Sequence, residues 1–561
     1  MGHRSEVYET ADRYVERAAA LDPVGATEAG ILGFDAEMTD YSPDAHAERA
    51  EHDRATLRAL QAVDPLDDRD RVAAELVTER LQVGIDRFEA REHLRDLNVI
   101  ASPAQAVRDC FELMPTDDVG DWETVVARMG MVPEALSGYQ ASLASGARQG
   151  IAAARRQVEA VREQVRTVVG DDGTRPYFLG LLDRFDRSGL HAPVLRATLE
   201  EHARRATEAY ASFGRFLVDS YARKAAATDA VGEERYAVAA RAFSGTDLDL
   251  RETYLWGWDE LDRITAEMAE VAERILPGRP IGEVIELLET DPSRAIEGVD
   301  RFRAWLQDLM DRTIAELDGV HFDIPGPVKR VEAMIAPPGG AAAMYYTPPA
   351  EDFSRPGRTW YPTQGRTVFP LWGEVSTAYH EGVPGHHLQV AQVTWLAGEL
   401  SRYQRTMGWV SGHGEGWALY AERLMGELGY LDDPDHELGM LRAQAFRAAR
   451  VVVDIGIHLG LEIPTDRDYH PGEVWTAELA VPFMARRSHE PEAFLRSEVD
   501  RYCGWPGQAI SYKVGERVWL EARDDARRRH GDAFDLKEFH RRALDLGSMG
   551  LDQLRRELAR I

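Results

Sequence analysis

The sequence predicts a mainly α-helical protein that contains one small β-sheet. The first 320 residues are dominated by long segments rich in Ala, Leu, Arg and Glu, in which apolar residues recur at three-four spacing. Between about 327 and 372 the sequence changes to short stretches rich in β-branched and aromatic residues and broken by Pro and Gly, a pattern that favours strands. Helical patterning returns at about 373 and continues to the end.

Three segments of the first portion are predicted helices: "DAHAERAEHDRATLRALQAV", "SLASGARQGIAAARRQVEAVREQVRTVV" and "VLRATLEEHARRATEAYASFGRFLVDSYARKAA". The strands are predicted in "PVKRVEAMIA", "AAAMYYTPPAE" and "GRTWYPTQGRTVF". We divide the chain into a helical scaffold portion, 1–320, and a catalytic portion, 321–561, and expect the two to form one continuous structural unit.

Composition and charge narrow the classes of function. The chain has 96 acidic and 66 basic residues, a formal net charge of −30, so its surface repels nucleic acid and anionic lipid. No run of eighteen apolar residues is present, so we expect no membrane partner. The N-terminus is charged throughout, and the two cysteines, Cys110 and Cys503, are too few for a disulfide framework. These features predict a cytoplasmic protein.

The stretch "STAYHEGVPGHHLQVAQ", residues 376 to 392, resembles the H-E-x-x-H signature of zinc peptidases. His380 is a candidate first metal ligand, and Glu381 is a candidate general base that takes a proton from water. The second histidine of the signature should fall four residues after the first. That position holds Pro384, which cannot bind a metal and disfavours a continuing helix.

Two arrangements would still supply a second histidine. In an undisturbed helix, His387 would return to the face of His380, but about 10 Å further along the axis, too far to share one ion easily. If Pro384 and Gly385 bulge out instead, His386 takes the missing position, and glycine tolerates the backbone excursion that a bulge requires. The second arrangement is physically better.

A third ligand is expected on a neighbouring helix, and "SGHGEGWALYAERL", residues 411 to 424, is the candidate. Glu415 and Glu422 lie seven residues apart, on the same helix face. One can bind the metal while the other accepts the N–H of a ligating histidine. His413 is a competing donor.

Further residues are candidates for transition-state and substrate contacts. Tyr512, which begins a helix after Pro506-Gly507, is the predicted oxyanion donor. His458 is a second candidate catalytic donor, although its interpretation as a satisfied core histidine is favoured. An extended peptide is expected to pair with the edge of the small sheet. The candidate substrate-binding residues near that edge are Tyr345, Tyr346, Arg355 and Arg358, and either arginine has the geometry to hold a terminal carboxylate.

Three motifs, "YHEGVPGHHLQ", "GEGWALYAERL" and "YCGWPGQAISYKVGE", together resemble the bacterial family catalogued as domain of unknown function 885. This resemblance covers most of the chain and implies similarity to zinc metallopeptidases of the Taq-type carboxypeptidase and thimet-type oligopeptidase group. It implies a helical body with a deep cleft. Deleting Pro384-Gly385 aligns His386 with the second ligand of that group, and Glu415 matches its third ligand.

The sequence therefore predicts a cytoplasmic metallopeptidase with one zinc ion, held by His380, His386 and Glu415, that hydrolyses short peptides. Two alternatives remain open: a metal-dependent hydrolase of a non-peptide amide, and a catalytically inactive helical binding protein. The oligomeric state does not follow from the sequence.

Overall fold

The computed structural model describes residues 5–336 and 344–561. Its first portion is built from helices α1 to α14, as the periodicity predicts. Their bounds are α1 Glu6–Leu21, α2 Pro23–Glu28, α3 Pro43–Leu60, α4 Asp68–Glu89, α5 Pro103–Leu113, α6 Val119–Met129, α7 Val132–Arg148, α8 Arg155–Val169, α9 Tyr177–Ser188, α10 Pro193–Phe216, α11 Glu233–Ser244, α12 Leu250–Ile275, α13 Ile281–Thr290 and α14 Val299–Leu317.

The second portion carries helices α15 to α24. Their bounds are α15 Glu374–Glu381, α16 His386–Trp395, α17 Arg402–Thr406, α18 Ser411–Glu427, α19 Pro434–Leu459, α20 Ala477–Ser488, α21 Glu492–Gly504, α22 Ser511–His530, α23 Leu536–Leu544 and α24 Leu551–Leu558. Among the described residues, no helix is both long and apolar enough to cross a membrane.

One predicted helical segment, 142–169, is two helices. α7 ends at Arg148, and α8 begins at Arg155. Gly150 between them has φ +74°, a left-handed conformation, and the N–H of Ile151 donates to the carbonyl of Gly146. This is a helix-ending arrangement that glycine adopts without a steric penalty, so the apolar spacing continues across a break in the backbone.

The described residues form two small sheets, whereas the sequence predicts one. The predicted sheet has the order β2-β4-β3, where β2 is Val331–Ile335, β3 is Tyr345–Thr347 and β4 is Gly357–Tyr361. β4 runs parallel to β2 and antiparallel to β3. The second sheet pairs β1, Ala295–Glu297, antiparallel with β5, Val368–Pro370. β1 escaped prediction because three residues are too few to show an alternating pattern. The first three residues of the predicted strand segment "AAAMYYTPPAE", 341–343, lie outside the described residues.

Apolar side chains collect in two buried clusters. The first contains residues from helices of both predicted portions. Helix α12 of the first portion packs along α19 of the second. The two helices are so close that a Cβ on Gly257 would lie 2.8 Å from the side chain of Val451. The second lies within residues 24–221 and involves mainly α5 to α10. The division at residue 320 therefore marks a change in residue composition along the chain and does not separate two hydrophobic cores.

Helices α18 and α22 of the second portion approach each other closely at glycine residues. A Cβ on Gly416 of α18 would lie 2.4 Å from the carbonyl carbon of Gly515 of α22. A Cβ on Gly515 would lie 1.9 Å from the carbonyl oxygen of Gly412. Only glycine permits this backbone approach, and it places the first turn of α22 beside the first turns of α18.

Candidate metal centre

The sequence around Pro384 forms a turn between two helices. α15 ends at Glu381 and α16 begins at His386, with a cis peptide bond between Val383 and Pro384. The sequence predicted a bulge within one helix, and the structure corrects this to a break between two. A Cβ on Gly385 would lie 2.0 Å from the carbonyl oxygen of His380, so this position requires glycine. The indole N–H of Trp417 in α18 donates to the carbonyl of Pro384 at 2.8 Å.

The turn brings three potential ligands together. The Nε2 atom of His380 lies 3.5 Å from Oε2 of Glu415, and the Nε2 atom of His386 lies 3.4 Å from the same oxygen. The two imidazole rings are 4.8 Å apart between centroids and are almost perpendicular, at 87°. All three ligand atoms lie within 4.8 Å of one another.

These separations fit a shared ion better than direct hydrogen bonds. A hydrogen bond between imidazole and carboxylate is about 2.7–2.9 Å long, shorter than both distances. Two ligand atoms on a tetrahedral zinc ion, each about 2.0–2.1 Å from it, are about 3.4 Å apart. Two imidazoles and a carboxylate are also a donor set that open zinc sites use. The residues present therefore fit zinc.

Glu422 orients the first histidine. Its Oε1 atom accepts the Nδ1–H of His380 at 2.7 Å, and its Oε2 atom accepts the hydroxyl of Ser376. Because Nδ1 carries the proton, the lone pair of His380 lies on Nε2, the atom that faces Glu415. The sequence left open whether Glu415 or Glu422 would face the metal. In the structure Glu422 hydrogen-bonds to Nδ1 of His380, and Glu415 faces Nε2.

The electrostatics of the cluster favour a cation. Burial by itself raises the pKa of Glu415, but His380 and His386 lower it well below its usual range. Burial by itself lowers the pKa of His380, but Glu415 and Glu422 raise it to about 9. The carboxylates of Glu415 and Glu422 therefore favour a positive charge on or beside His380, carried either by a proton on the imidazole or by a metal ion.

Glu381 follows directly on His380 at the end of α15. It is buried, and no hydrogen bond joins its carboxylate to another described residue. The side chains of His386 and Glu415 are 10% and 17% exposed, so a small molecule can reach the cluster. A carboxylate that is not committed elsewhere remains available as a proton acceptor beside the ligands.

His387 and His413 face elsewhere. His387 contacts the carbonyl of Val328 through Nε2 at 2.7 Å and the hydroxyl of Tyr346 through Nδ1 at 3.0 Å. Burial lowers the pKa of His387 to about 4, so the ring is neutral. His413 accepts the N–H of Met549 at 2.9 Å. Neither histidine belongs to the cluster, so the second histidine beside His380 is His386.

The predicted substrate-binding residues lie on or near the three-stranded sheet, and the structure joins none of them to the cluster directly. Tyr346 is committed to His387, as described above. Tyr345 stacks on Trp360, with centroids 5.8 Å apart. Arg358 donates to Glu332 at 2.9 Å, and Arg355 donates to the carbonyl of Pro356 at 3.4 Å. Their role in substrate binding stays a prediction.

Tyr512 lies in the first turn of α22, near the cluster. Burial raises the pKa of its phenol, and the negative charge of Glu415 raises it further. The ring lies 5.8 Å from the guanidinium carbon of Arg447 and 4.8 Å from that of Arg450. The hydroxyl makes no hydrogen bond to another described residue. Tyr512 therefore has a free donor within electrostatic range of the candidate ligands.

The structure does not bring His458 to the cluster. Its Nε2 atom contacts the carbonyl of Tyr502 at 2.9 Å and lies 3.6 Å from Asp454. Its ring packs against Tyr236. It is eleven residues beyond Arg447 on α19, about 16 Å along the helix axis. This correction places His458 in a separate buried network.

Sequence reasoning missed Arg447. It lies on α19, and one of its terminal nitrogens is 3.9 Å from Oε1 of Glu422. The available signal was weak: two arginines three residues apart, Arg447 and Arg450, precede the apolar run "VVVDIGIHL". Such charges in an otherwise buried helix indicate a polar environment on one face.

The profile of a family described as "Bacterial protein of unknown function (DUF885)" matches residues 23–558. The chain belongs to the DUF885 family.

Two solved structures resemble this DUF885 chain over 99% of its length and 99% of theirs. One is a protein from Colwellia psychrerythraea described as a "putative lipoprotein", with a TM-score of 0.84 and 23% identity. The other, from Shewanella oneidensis, is described as a "putative lipoprotein of unknown function", with a TM-score of 0.75 and 18% identity. At these identities the likeness concerns the fold alone. A comparison with curated proteins found no match.

Proposed function

We propose that this DUF885 chain is a zinc-dependent metallopeptidase that hydrolyses short peptides. The observation that carries the proposal is the pair of 3.5 and 3.4 Å separations from Glu415 to His380 and His386, the spacing of ligands around a shared ion. The arrangement of a His-Glu helix and a downstream glutamate resembles that of the Taq-type carboxypeptidase and thimet-type oligopeptidase group.

In the proposed site, His380, His386 and Glu415 hold one zinc ion. Zinc supplies Lewis acidity, which polarises a carbonyl oxygen and acidifies water. Glu422 keeps the lone pair of His380 on Nε2 through its hydrogen bond to Nδ1–H.

The chemical work of the protein falls to two further side chains. Glu381 accepts the proton of the attacking water and passes it to the leaving amine. Tyr512 donates its phenol hydrogen to the oxygen that becomes negative in the transition state. Its hydroxyl has no other partner among the described residues, so this donation breaks no existing bond.

The ligand side chains His386 and Glu415 are only 10% and 17% exposed, a limited opening that favours short extended chains over folded proteins as substrates. The charge of −30 argues against a nucleic-acid substrate. The names of the two similar structures mention lipoproteins, so the cytoplasmic location stays a prediction.

The test begins with metal analysis of protein purified without added metal, and we expect about one zinc per chain. A pool of short peptides and a panel of small non-peptide amides are then offered to the zinc-loaded protein. Glu381→Gln should keep its zinc while peptide hydrolysis falls by about 10²–10⁴-fold, because the proton acceptor is lost and the shape is kept. The control is Glu297→Gln, which changes a side chain that is 79% exposed, and this variant should retain full activity.

Each alternative has its own outcome. Cleavage of an amide but of no peptide would favour the non-peptide hydrolase. Protein that binds no zinc even when zinc is supplied would favour the inactive binding protein. Full activity in Glu381→Gln would remove Glu381 from the mechanism.

A further inference from the structure

Arg447 lies beside the candidate metal centre and makes no hydrogen bond to another described residue; its ion pair with Glu422 is long, at 3.9 Å. Its side chain is 18% exposed, and its Nε atom is buried without a hydrogen-bond partner among the described residues. The nearest carboxylate oxygen, Oε1 of Glu422, is 3.9 Å away, beyond hydrogen-bond distance. A guanidinium group removed from water normally has its donors satisfied, so this one lacks an acceptor.

The carboxylate closest to Arg447 is already in use. Glu422 accepts from His380 through one oxygen and from Ser376 through the other. Drawing Glu422 toward Arg447 would turn it away from His380 and release the Nε2 orientation that a metal ligand needs. Arg447 is therefore available for a different anion.

The other two arginines of α19 show what a structural arginine looks like in this helix. Arg450 donates to Glu498 at 2.8 Å and to the hydroxyl of Tyr502 at 2.9 Å. Arg442 donates to Glu490 at 2.6 Å. Each of these arginines has one buried nitrogen without a partner, as Arg447 has, but each also donates to a carboxylate within hydrogen-bond distance, and Arg447 does not.

Arg447 and Tyr512 present two unused donors on the same side of the cluster. The guanidinium carbon lies 5.8 Å from the ring centre of Tyr512. The phenol of Tyr512 in turn feels the charge of Glu415, a candidate ligand. A ligand that meets the metal centre and extends past Tyr512 would bring an anionic end to Arg447.

We propose that Arg447 binds the free C-terminal carboxylate of the peptide substrate, which makes the protein a carboxypeptidase rather than an endopeptidase. This inference rests on the proposed peptidase function. A planar guanidinium offers two parallel N–H donors that match the two oxygens of a carboxylate.

The two arginines that the sequence suggested for this task are less suited to it. Arg358 is paired with Glu332, and Arg355 contacts the neighbouring carbonyl of Pro356. Arg358 lies in β4 and Arg355 lies two residues before it, and neither hydrogen-bonds to a ligand of the cluster.

The experiment compares one short peptide in two forms, with a free C-terminal carboxylate and with a C-terminal amide. For the zinc-loaded protein we expect kcat/KM to be about 10–100-fold higher for the free acid, the effect of a hydrogen-bonded charge pair. Arg447→Gln should remove this preference by raising KM for the acid while leaving the amide unchanged. Arg447→Lys, which keeps the charge but not the planar pair of donors, should give an intermediate preference.

Arg423→Gln is the matched control. Arg423 has the same side-chain exposure, 18%, but is paired with Glu267 at 3.0 Å. It should keep the ratio of acid to amide even if its stability falls. Equal cleavage of both forms by the unmodified protein, or a preference that survives in Arg447→Gln, would overturn the inference and leave the peptidase proposal intact.

A binding measurement separates the two proposals. Calorimetric titration of both peptide forms into zinc-loaded Glu381→Gln protein requires no turnover. Tighter binding of the acid that disappears on adding Arg447→Gln supports the carboxylate site even if no peptide is cleaved. Equal affinity for the two forms contradicts it.

Discussion

At the scale of single residues, some polar groups of the candidate centre have hydrogen-bond partners within the protein and others have none. His380 is fixed by Glu422, whereas the carboxylate of Glu381 and the hydroxyl of Tyr512 have no hydrogen-bond partner among the described residues. Buried polar groups are usually satisfied, because an unpaired one costs about 1–3 kcal/mol. Groups left without partners are therefore the ones that a substrate or transition state is expected to complete.

Tyr512→Phe tests whether the unpaired phenol of Tyr512 binds the transition state. Loss of one donor to a transition-state oxyanion should lower kcat by about 10²–10³-fold, with little change in KM or zinc content. Steady-state kinetics and thermal unfolding are measured on the same preparation. Tyr430→Phe, which alters a ring packed against His321, is the control and should keep kcat.

An unchanged kcat in Tyr512→Phe would exclude its phenol from the reaction. A fall in the unfolding temperature with normal kcat in the folded fraction would assign the tyrosine a packing role.

At the scale of secondary-structure elements, the centre depends on a helix that stops and restarts. Gly385→Ala introduces a Cβ where the carbonyl oxygen of His380 lies 2.0 Å away, so the turn must shift and carry His386 with it. We expect zinc affinity to fall at least about tenfold, measured by competition with a chelator. Gly373→Ala at the start of α15 meets no atom within 4 Å and should bind zinc normally.

The same helix carries a pH-sensitive carboxyl group. Burial raises the pKa of Glu374 to about 7, an effect that Arg366 reduces and Glu289 increases. A carboxyl whose folded-state pKa is raised contributes its full stability below the unfolded value of 4.5 and loses it as pH rises through 7. The cost of ionisation at pH 8 is up to about 3 kcal/mol.

Glu374→Gln should therefore stabilise the protein at pH 8 and have little effect at pH 4. Unfolding by denaturant at the two pH values measures this difference. Part of the gain will be offset, because a carboxylate in the first turn of a helix is favoured by the helix dipole by about 0.3–1 kcal/mol. Equal effects at both pH values would show that Glu374 titrates normally.

At the scale of the whole molecule, the candidate ligands come from three helices, α15, α16 and α18, that pack in the larger apolar cluster. An ion that binds only the folded chain stabilises it by about 4 kcal/mol at a thousandfold excess over Kd. We expect zinc to raise Tm and a chelator to reverse the rise. His386→Ala should abolish the zinc-dependent shift, and His470→Ala, with a 47% exposed side chain, should retain it.

Much of the helical fold follows from periodicity because each helix has its own apolar face. The break between α7 and α8 could not be predicted from periodicity, because the apolar spacing continues through Gly150, which adopts a left-handed conformation. The convergence of His380, His386 and Glu415 could be expected from ligand chemistry and from the glycine at 385. Arg447 could not, because its significance depends on which carboxylates of other helices are already occupied. The choice between the two interpretations of His458 needed the structure for a related reason, because the sequence does not reveal which part of α19 approaches the centre.

The turn at Gly382–Gly385 also bears on how such proteins are found. A pattern search for two histidines separated by three residues passes over this chain, in which five residues separate His380 from His386. The contact at Gly385 is made with the backbone of His380, so it constrains position 385 whatever side chains surround it. A query of the form H-E-G-x-P-G-H, followed downstream by G-E-G-W, would retrieve sequences able to make the same turn, and the short-spacing query would not.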